Sequence, residues 1–332
     1  DGQPISTNGI VANIVVWVPP IPWSINTDFS SGTEMDAAVK KLATVWSDIL
    51  SNWDFQSYNW QNGSNPSQFK GVAVINATGD VYSNYLGMGG WVNGEIKVFK
   101  KLSTGKYIIG GAFTGVAWVS VWRFAILNSD FSVDDSLTNL LGTWFDKSTA
   151  SYTWVVYGAV EQTDGKVIVV GNFDLFNWAS YNRIIRFNTD WSVDTSFSTN
   201  LSTWPWTTSQ GIVWCVALQS DDKIVFGGAF SSFQSITSRR RIARVNADGT
   251  NDTWFVPWTA FSAWQVQQIK IQPDQKIVCC GTFTSYNATT RQRVCRILST
   301  GSLDTTFGTT TGASATVSSI ELDSLGNVYI VG

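Results

Sequence analysis

Histidine is absent from this sequence, and charged side chains make up only 14% of it. Without histidine, the chain cannot supply a Ser-His-Asp triad, a histidine general base or a histidine metal ligand. Lysine and arginine total 22 against 25 aspartates and glutamates, so the net charge is -3 and the basic excess of nucleic-acid-binding chains is lacking. No run approaches the about 18 apolar residues that span a bilayer. We therefore expect neither a nucleic-acid partner nor membrane insertion.

Cysteine is also scarce, and its four residues lie in apolar, strand-like runs: Cys215, Cys279, Cys280 and Cys295. Adjacent residues of a strand point to opposite faces, as Cys279 and Cys280 would. The spacing fits neither a disulfide framework nor a zinc site. The sequence predicts that these cysteines are packing residues, and it predicts no metal or cofactor site.

What the sequence does contain is a repeated phrase. "TDGKVIVVGNF" (163–173) returns as "STGKYIIGGAF" (103–113), "SDDKIVFGGAF" (220–230) and "PDQKIVCCGTF" (273–283). A degraded copy, "VWSDILSNWDF" (45–55), lies upstream, and "SLGNVYIVG" (324–332) is a shortened one. The closing phenylalanines are spaced by 53 to 60 residues, and this period indicates a solenoid, propeller or array.

A second phrase recurs between copies of the first with the same period. It reads "RIIRFNTDWSVDTSF" (183–197), "RIARVNADGTNDTWF" (241–255) and "RVCRILSTGSLDTTF" (293–307). Each unit reads as short antiparallel strands joined by tight turns, with "RIARVN" as a third strand and "TNDTWF" as a fourth. The prediction is an all-β fold, a β-propeller of four-stranded antiparallel blades that stack face to face. The Gly-Gly before phenylalanine predicts a close backbone approach rather than a phosphate-binding loop.

The ends of the sequence suggest how a ring would close. Residues 5–29 align with the second half of a repeat, and the chain stops after a first half. A composite blade would pair these ends and remove the exposed sheet edges. Six blades are favoured, with seven or eight as the alternative if further blades lie outside this sequence. The expected units of this single propeller are 30–85, 86–137, 138–197, 198–255, 256–307, and 308–332 together with 1–29.

One segment gives conflicting signals. "GTEMDAAVKKLATVWSDIL" (32–50) has good helix formers after a possible N-cap at Thr33. The phase of the repeat places two strands there instead, and we predict the strands.

The phrases "QTDGKVIVVGNF" (162–173) and "RIARVNADGTNDTWF" (241–255) resemble those of the delta-60 repeat (DUF5122-like) β-propellers. The resemblance covers nearly the whole chain and is strongest over 150–307. It implies a propeller like those of phage structural and tail proteins and of bacterial secreted or surface proteins. It brings no catalytic residues with it.

Several aromatic residues occupy columns of the repeat that call for a turn glycine. Trp191 and Phe131 fall in the column of Gly249, as does Trp23, and Trp53 matches Gly228. Because side chains other than Gly, Asn and Asp rarely adopt positive φ, such residues are costly there.

Carboxylate motifs have two interpretations. The Asp-Gly pairs Asp164-Gly165 and Asp248-Gly249 do not follow the order of a calcium loop, so hairpin turns are favoured. Asp134-Asp135 and Asp221-Asp222 each occupy a position that recurs in the repeats, which also indicates turns. A glycosidase would instead need two acidic side chains about 5–10 Å apart near the ring axis.

The loop after each Gly-x-Phe varies most between repeats, and variable loops on a rigid scaffold commonly bind partners. Aromatic and arginine side chains there suit protein or carbohydrate contacts. The alternative is that these arginines pair within the scaffold and the aromatics seal blade edges. The candidate binding residues are Tyr58, Trp60, Trp118, Trp178, Tyr181, Arg239, Arg240, Tyr286 and Arg291.

The composition favours a non-enzymatic module of a virion or extracellular assembly, such as a phage tail or appendage. Its partners would be other virion or surface-assembly proteins, or a cell-surface glycan or receptor. Two alternatives stay open at this point: a secreted or cell-surface bacterial adhesin, and a carbohydrate-active enzyme with a site at the central opening of the ring.

Overall fold

The computed structural model describes residues 39–45, 48–53, 72–75, 92–116, 119–135, 145–146, 154–181, 183–201, 211–233, 236, 239–262, 264–307, 312–323 and 326–332. The chain forms two compact units, Asp1–Thr143 and Trp144–Gly332. The strands of the first unit are β1 (Val39–Val45), β2 (Asp48–Trp53), β3 (Val72–Ile75), β4 (Ile96–Lys101), β5 (Tyr107–Gly111), β6 (Gly115–Val116), β7 (Val119–Ser120) and β8 (Phe124–Leu127).

The second unit continues the same pattern with one short helix. Its elements are β9 (Phe145–Asp146), β10 (Val155–Glu161), β11 (Val167–Asn172), β12 (Leu175–Phe176), β13 (Ala179–Ser180), β14 (Ile184–Phe187), α1 (Thr195–Leu201), β15 (Val213–Leu218), β16 (Ile224–Gly228), β17 (Ile242–Val245), β18 (Val266–Ile271), β19 (Ile277–Gly281), β20 (Ser285–Tyr286), β21 (Thr289–Thr290), β22 (Val294–Ile297), β23 (Ser319–Leu322) and β24 (Val328–Val331).

Each repeat builds an antiparallel sheet with the same order of strands. The sheets are β1-β2-β3, β4-β5-β8, β10-β11-β14, β15-β16-β17, β18-β19-β22 and the two-stranded β23-β24. The segment 32–50 therefore contributes strands, as the phase of the repeat predicted, and β1 pairs with β2 from Val45↔Asp48 outward. An all-β fold is confirmed.

A β-bulge recurs near the start of β1, β4, β10, β15 and β18. The register shifts between Ile96 and Val98, and again between Val213 and Cys215. In the last four of these sheets the final glycine of the second strand stands opposite the bulge, and a Cβ on Gly228 would lie 2.0 Å from the carbonyl oxygen of Ile212. The glycine before x-Phe thus permits a close backbone approach, as the sequence predicted.

The central strands are buried on both faces because neighbouring sheets of the second unit stack on one another. One apolar cluster joins Ile168 and Val170 of β11 to Ile224 and Phe226 of β16. The next cluster contains Cys215, Cys279 and Cys295, and a third contains Cys280. All four cysteines are buried, and Cys279 and Cys280 pack on opposite faces of β19, in agreement with the predicted packing role.

The predicted fourth strand of each blade is wrong for the residues that the structure describes. Asn251 forms a single bridge to Val245, and the Oδ1 atom of Asp252 then accepts the N–H of Trp254 at 2.9 Å. In the preceding repeat, Asp194 accepts the N–H of Phe197 at 3.1 Å at the start of α1. An aspartate that accepts backbone N–H groups two or three residues onward favours a turn or a helix start over a strand.

The number of blades and the closure of the ring stay predictions, as do the boundaries of the repeats. Residues 1–29, which were assigned to the closing blade, lie outside the described residues. No helix in the described part of the chain is long and apolar enough to cross a bilayer.

Candidate functional site

The candidate binding loops connect the second and third strands of each sheet, so they lie at one end of the sheet to which they belong. Residues 174–183 form the hairpin β12-β13, and residues 284–293 form the hairpin β20-β21. In the described part of the loop 231–241, a bridge between Phe233 and Ile236 joins the two sides. The sheets are alike and these loops pair alike, whereas the loop sequences differ from one repeat to the next.

The two hairpins share one turn geometry. Asn177 and Trp178 have φ values of 47° and 67°, and Asn287 and Ala288 have 48° and 61°. Two successive positive φ values are characteristic of a type I′ turn, whose preferred sequence is Asn-Gly. The turn lifts Trp178 into solvent, where 76% of its surface is exposed.

The strand before each turn is anchored by a residue that precedes the sheet. Phe176 pairs with Phe145, and Tyr286 forms a bridge to Phe261. Tyr286 is fully buried against Phe261, and its hydroxyl donates to the carbonyl oxygen of Gly301 at 2.5 Å. Burial raises the pKa of the Tyr286 phenol well above its ordinary value. Tyr286 therefore fixes the hairpin to the turn of the same repeat and is not a surface contact.

The arginines that were expected to contact a partner divide into two groups. Arg239 is buried: it donates to the carbonyl oxygen of Asp252 at 2.6 Å and to the side chain of Asn251. Arg291 is buried as well, and its Nη1 donates to the carbonyl oxygen of Thr290 at 2.8 Å. Both act inside the scaffold, the alternative that the sequence left open. Arg240 is exposed beside Arg239.

The remaining candidates are partly accessible or lie outside the described residues. Tyr181 is half-buried, and its ring lies edge-on to Phe176 at 6.3 Å between centroids. Tyr58, Trp60 and Trp118 fall outside the residues that the structure describes. The accessible side chains of the predicted set are thus Trp178, Arg240 and, in part, Tyr181.

Sequence reasoning missed a second group of exposed apolar residues. They follow the third strand of the repeat 219–255 and lead to β18: Trp254 (82% exposed), Val256 (49%), Trp258 (71%) and Trp264 (66%). The segment is held by hydrogen bonds from Val256 N–H to the carbonyl oxygen of Thr300 and from Ala260 N–H to Asn287 Oδ1. The signal available in the sequence was the dense run of tryptophans between two repeat phrases.

The buried charges of the second unit serve a different purpose, because they join consecutive repeats. Arg244 donates to Asp252 at 2.8 Å and to Gln219 Oε1 at 2.7 Å within its own repeat, and to the carbonyl oxygen of Ser299 at 2.6 Å in the next. Gln219 likewise donates to the carbonyl oxygen of Gln275 at 3.0 Å. We name this Gln-Arg-Asp set the inter-repeat clamp.

The inter-repeat clamp recurs with the same geometry in three repeats. Arg186 bonds Asp194 and Gln162, and Arg296 bonds Asp304 and Gln272. The guanidinium carbon lies 4.1–4.8 Å from the centre of the phenylalanine ring that closes the repeat, as a cation–π contact. Clamp members are Gln162, Arg186 and Asp194; Gln219, Arg244 and Asp252; and Gln272, Arg296 and Asp304.

Hydrogen bonding keeps two of the clamp carboxylates, Asp304 and Asp194, ionised. Burial would raise the pKa of Asp304, but hydrogen bonds from Thr306 and Arg296 lower that pKa to about 2. For Asp194, hydrogen bonds from Ser196, Lys166 and Phe197 likewise outweigh burial, so its pKa lies well below 3.8. These carboxylates are paired bases of low proton affinity, which suits structural ion pairs better than general acid catalysis.

The repeat 102–137 carries an apolar version of the clamp. Leu102 and Ile126 occupy the columns of Gln162 and Arg186, and both are buried. Its aspartate remains, with Lys106 Nζ 2.5 Å from Asp134 Oδ2. The glutamine and the arginine are therefore replaced together, while Asp134 keeps a lysine partner as Asp194 does, so that no buried charge is left unpaired.

Local contacts account for the acidic pair Asp221-Asp222. Asp222 accepts the N–H of Thr163 at 3.2 Å, and Asp221 pairs with Lys223 at 2.9 Å, so both have turn functions. No group of three or more His, Cys, Asp or Glu side chains that could hold a metal ion is found in the described part of the chain.

Known proteins were compared with the whole chain. Four stretches, 102–137, 162–197, 219–255 and 272–307, match the family described as "Domain of unknown function (DUF5122) beta-propeller". No curated protein matches the chain significantly.

Several solved propeller structures are similar to the chain at low identity. A gluconolactonase, XC5397 from Xanthomonas campestris, has 11% identity and a TM-score of 0.45, with 90% of this chain and 93% of that chain covered. PorZ, a surface component of the type-IX secretion system of Porphyromonas gingivalis, has 11% identity and a TM-score of 0.45, with 89% and 39% covered. The extracellular domain of the hybrid two component system BT3049 from B. thetaiotaomicron has 13% identity and a TM-score of 0.43, with 88% and 31% covered.

This chain thus spans 39% of the PorZ chain and 31% of the BT3049 chain. The four matched stretches coincide with the repeats that carry the turn and the x-Phe glycine, and three of them close with Asp-x-x-Phe. These four repeats match the DUF5122 β-propeller family.

Proposed function

We propose that this chain is a non-enzymatic binding module of an extracellular assembly, and specifically of a virion tail or appendage. The observation that carries the proposal is the contrast between a repeated scaffold and unlike loop side chains. Strand order, bulge, x-Phe glycine and a short loop hairpin recur along the chain, whereas the loops that leave the second strand differ in sequence. Variable loops on an over-determined scaffold are characteristic of binding proteins.

The chemistry of the loops supports contacts with a protein or a glycan. The accessible side chains near the hairpin β12-β13 are Trp178, Ala179 and Ser180, and Arg240 is exposed in the next repeat. Aromatic rings and small hydroxyl side chains suit both classes of partner. The net charge of -3 does not favour a nucleic-acid partner.

A loop graft tests the proposal without changing the scaffold. The six residues 175–180 are replaced by the sequence of 285–290, because the two hairpins share the type I′ geometry. Binding to the proteins of the assembly and to a panel of cell-surface glycans is then measured, with Lys100→Gln on an exposed site of β4 as the control. We expect the graft to retain its melting temperature and to lose at least ten-fold in affinity, while the control binds as the parent does.

Two results would contradict the proposal. Equal binding by graft and parent would show that this loop is not the contact. Turnover of a glycan by the parent chain would show an enzyme instead. Immunogold labelling of particles and cells distinguishes the assemblies: label on virions supports the tail or appendage role, and label confined to the cell envelope replaces it with an adhesin.

A further inference from the structure

Four of the tryptophans that the structure describes have left-handed backbone conformations. Their φ values are 67° at Trp178, 65° at Trp191, 42° at Trp258 and 76° at Trp264. A Cβ atom makes this region unfavourable for all L-residues, and a bulky side chain there is an outlier. Such residues need either compensation from packing or a different explanation.

Each of these tryptophans stands in a column where another repeat has glycine. Trp191 matches Gly249 and Gly301, whose φ values are 89° and 91°. The column is also tight, since a Cβ on Gly249 would lie 2.8 Å from the ring of Phe197.

The column of Trp264 is defined by a shared hydrogen bond. Arg241 Nε donates to the carbonyl oxygen of Trp264, just as Arg183 Nε donates to that of Gly211 at 2.6 Å in the preceding repeat. Trp258 precedes Phe261 by three residues, as Gly142 precedes Phe145, and both phenylalanines anchor a hairpin.

Trp178 stands at the glycine position of an Asn-Gly type I′ turn. The copy of this hairpin in the aligned segment 5–29 reads Asn8-Gly9. The same column, five residues after the phenylalanine of the x-Phe phrase, also holds Trp60 and Trp118.

Three of the four side chains lie mostly in solvent: Trp178, Trp258 and Trp264 have 76%, 71% and 66% of their surface exposed. Phe131 shows what compensation looks like: it has φ of 65° in the column of Trp191, is buried, and stacks on Tyr107 at 4.6 Å between centroids. Trp191 is an intermediate case, buried near Phe187.

We infer that the protein, in the cells that make it, carries glycine at positions 178, 191, 258 and 264. The codon UGA is read as tryptophan in some genetic codes and as glycine in at least one other, and this reading would exchange the two residues at every such codon. The chain has 18 tryptophans against 28 glycines, and this exchange would convert glycine into tryptophan at each such codon. The inference rests on backbone geometry. With glycine at position 178, the contacts that the proposed function assigns to the hairpin β12-β13 come from Ala179 and Ser180.

Two measurements on the natural system test the inference. The gene is sequenced to identify the codons at the four positions. The protein purified from its own cells is digested with trypsin, and the masses of the peptides are measured by mass spectrometry. The peptide that follows Lys166 and ends at Arg183 contains position 178, and the recombinant chain with tryptophan provides the reference mass.

We expect UGA at all four codons and the glycine mass in the native peptides. A UGG codon at position 178, 258 or 264 overturns the inference, and so does the tryptophan mass in a native peptide covering any of them. The peptide 277–291, which contains no tryptophan, should have the same mass from both sources and controls for other modifications.

Discussion

At the residue scale, the backbone at position 178 determines how the hairpin β12-β13 responds to substitution. Trp178→Gly relieves a left-handed conformation at a site that is 76% exposed, so little packing is lost. We expect the free energy of unfolding to rise by about 1 kcal/mol. Urea denaturation measures the change.

Ala288→Gly is the matched comparison, because Ala288 has φ of 61° at the same position of the hairpin β20-β21. We expect a gain of similar sign and size there, since the two side chains differ mainly in what they expose. If Trp178→Gly were destabilising while Ala288→Gly stabilised, Trp178 would have contacts that outweigh its strained backbone.

The turn columns could be predicted from sequence, whereas the fate of neighbouring loop side chains could not. Alignment of Trp191 and Phe131 with Gly249 predicted positive φ, and both have φ of 65°. The burial of Tyr286 and Arg239 depends instead on Phe261 and Asp252, which come from other segments. No pattern within a single loop reports those contacts.

At the scale of the element, the bulge makes one glycine of each sheet indispensable. A Cβ on Gly281 would lie 2.1 Å from the carbonyl oxygen of Gln265, and backbone there cannot move without breaking the bond from Thr282 N–H to that oxygen. We expect Gly281→Ala to lower the free energy of unfolding by about 3 kcal/mol, as strongly destabilising core changes do. Thermal denaturation followed by circular dichroism measures the loss.

Gly227→Ala is a fitting control for this change. The added Cβ would meet the Sγ of Cys215 at 2.6 Å and the tip of Ile269 at 2.8 Å, and these are side-chain atoms that can shift. We expect a smaller loss than for Gly281→Ala. Equal losses would mean that general crowding, rather than the bulge, determines the preference for glycine.

The inter-repeat clamp predicts strong coupling between two substitutions. Arg244→Ile alone leaves Asp252, which is 1% exposed, with Lys223 at 3.8 Å as its remaining cation, and should cost about 3–5 kcal/mol. Gln219→Leu combined with Arg244→Ile reproduces the Leu102 and Ile126 pair of the repeat 102–137. We expect the double variant to be the more stable of the two in urea denaturation.

A double variant no more stable than Arg244→Ile would contradict this account of the clamp. It would show that the apolar pair of the repeat 102–137 is tolerated for reasons specific to that repeat. Gln219→Leu alone supplies the remaining corner of the cycle and isolates the coupling between the two residues.

At the scale of the whole molecule, the clamp carboxylates make stability depend on acid. Because the pKa of Asp304 is about 2 in the folded protein against 3.8 ordinarily, the unfolded chain binds protons first as the pH falls. The stabilisation is therefore complete above about pH 4 and is lost as the pH falls toward about 2. Asp194, whose pKa is also lowered, acts in the same direction.

Asp304→Asn removes one of these titrations, so the free energy of unfolding should decrease less as the pH is lowered. Denaturation curves at about pH 6 and about pH 3 measure the difference between the parent and the variant. Asp135→Asn is the control, because that carboxylate is exposed and lies outside the clamp. An unchanged pH dependence in Asp304→Asn would assign the acid sensitivity to other groups.

The architecture could be predicted from the sequence because the repeats share the same turn residues and the same pattern of short strands. The strands at 39–53 were predicted by the phase of the repeat against the helix propensity of the segment, and β1 and β2 confirm it. The fourth strand failed because Asp194 and Asp252 direct their carboxylates to nearby N–H groups, a choice that alternation of apolar residues does not reveal. Which loop side chains are accessible for binding depends on contacts with other segments, such as those that bury Tyr286 and Arg239.

The clamp has a consequence for how such a chain could have grown. The repeat 219–255 presents a donor to the repeat that follows, from Arg244 to Ser299, and an acceptor to the repeat that precedes, from Ala247 to Gln162. A tandem duplication of one repeat would therefore already contain the donors and the acceptors that join the two copies. Copies could be added or lost by recombination without inventing a contact, and divergence would be left to the loops.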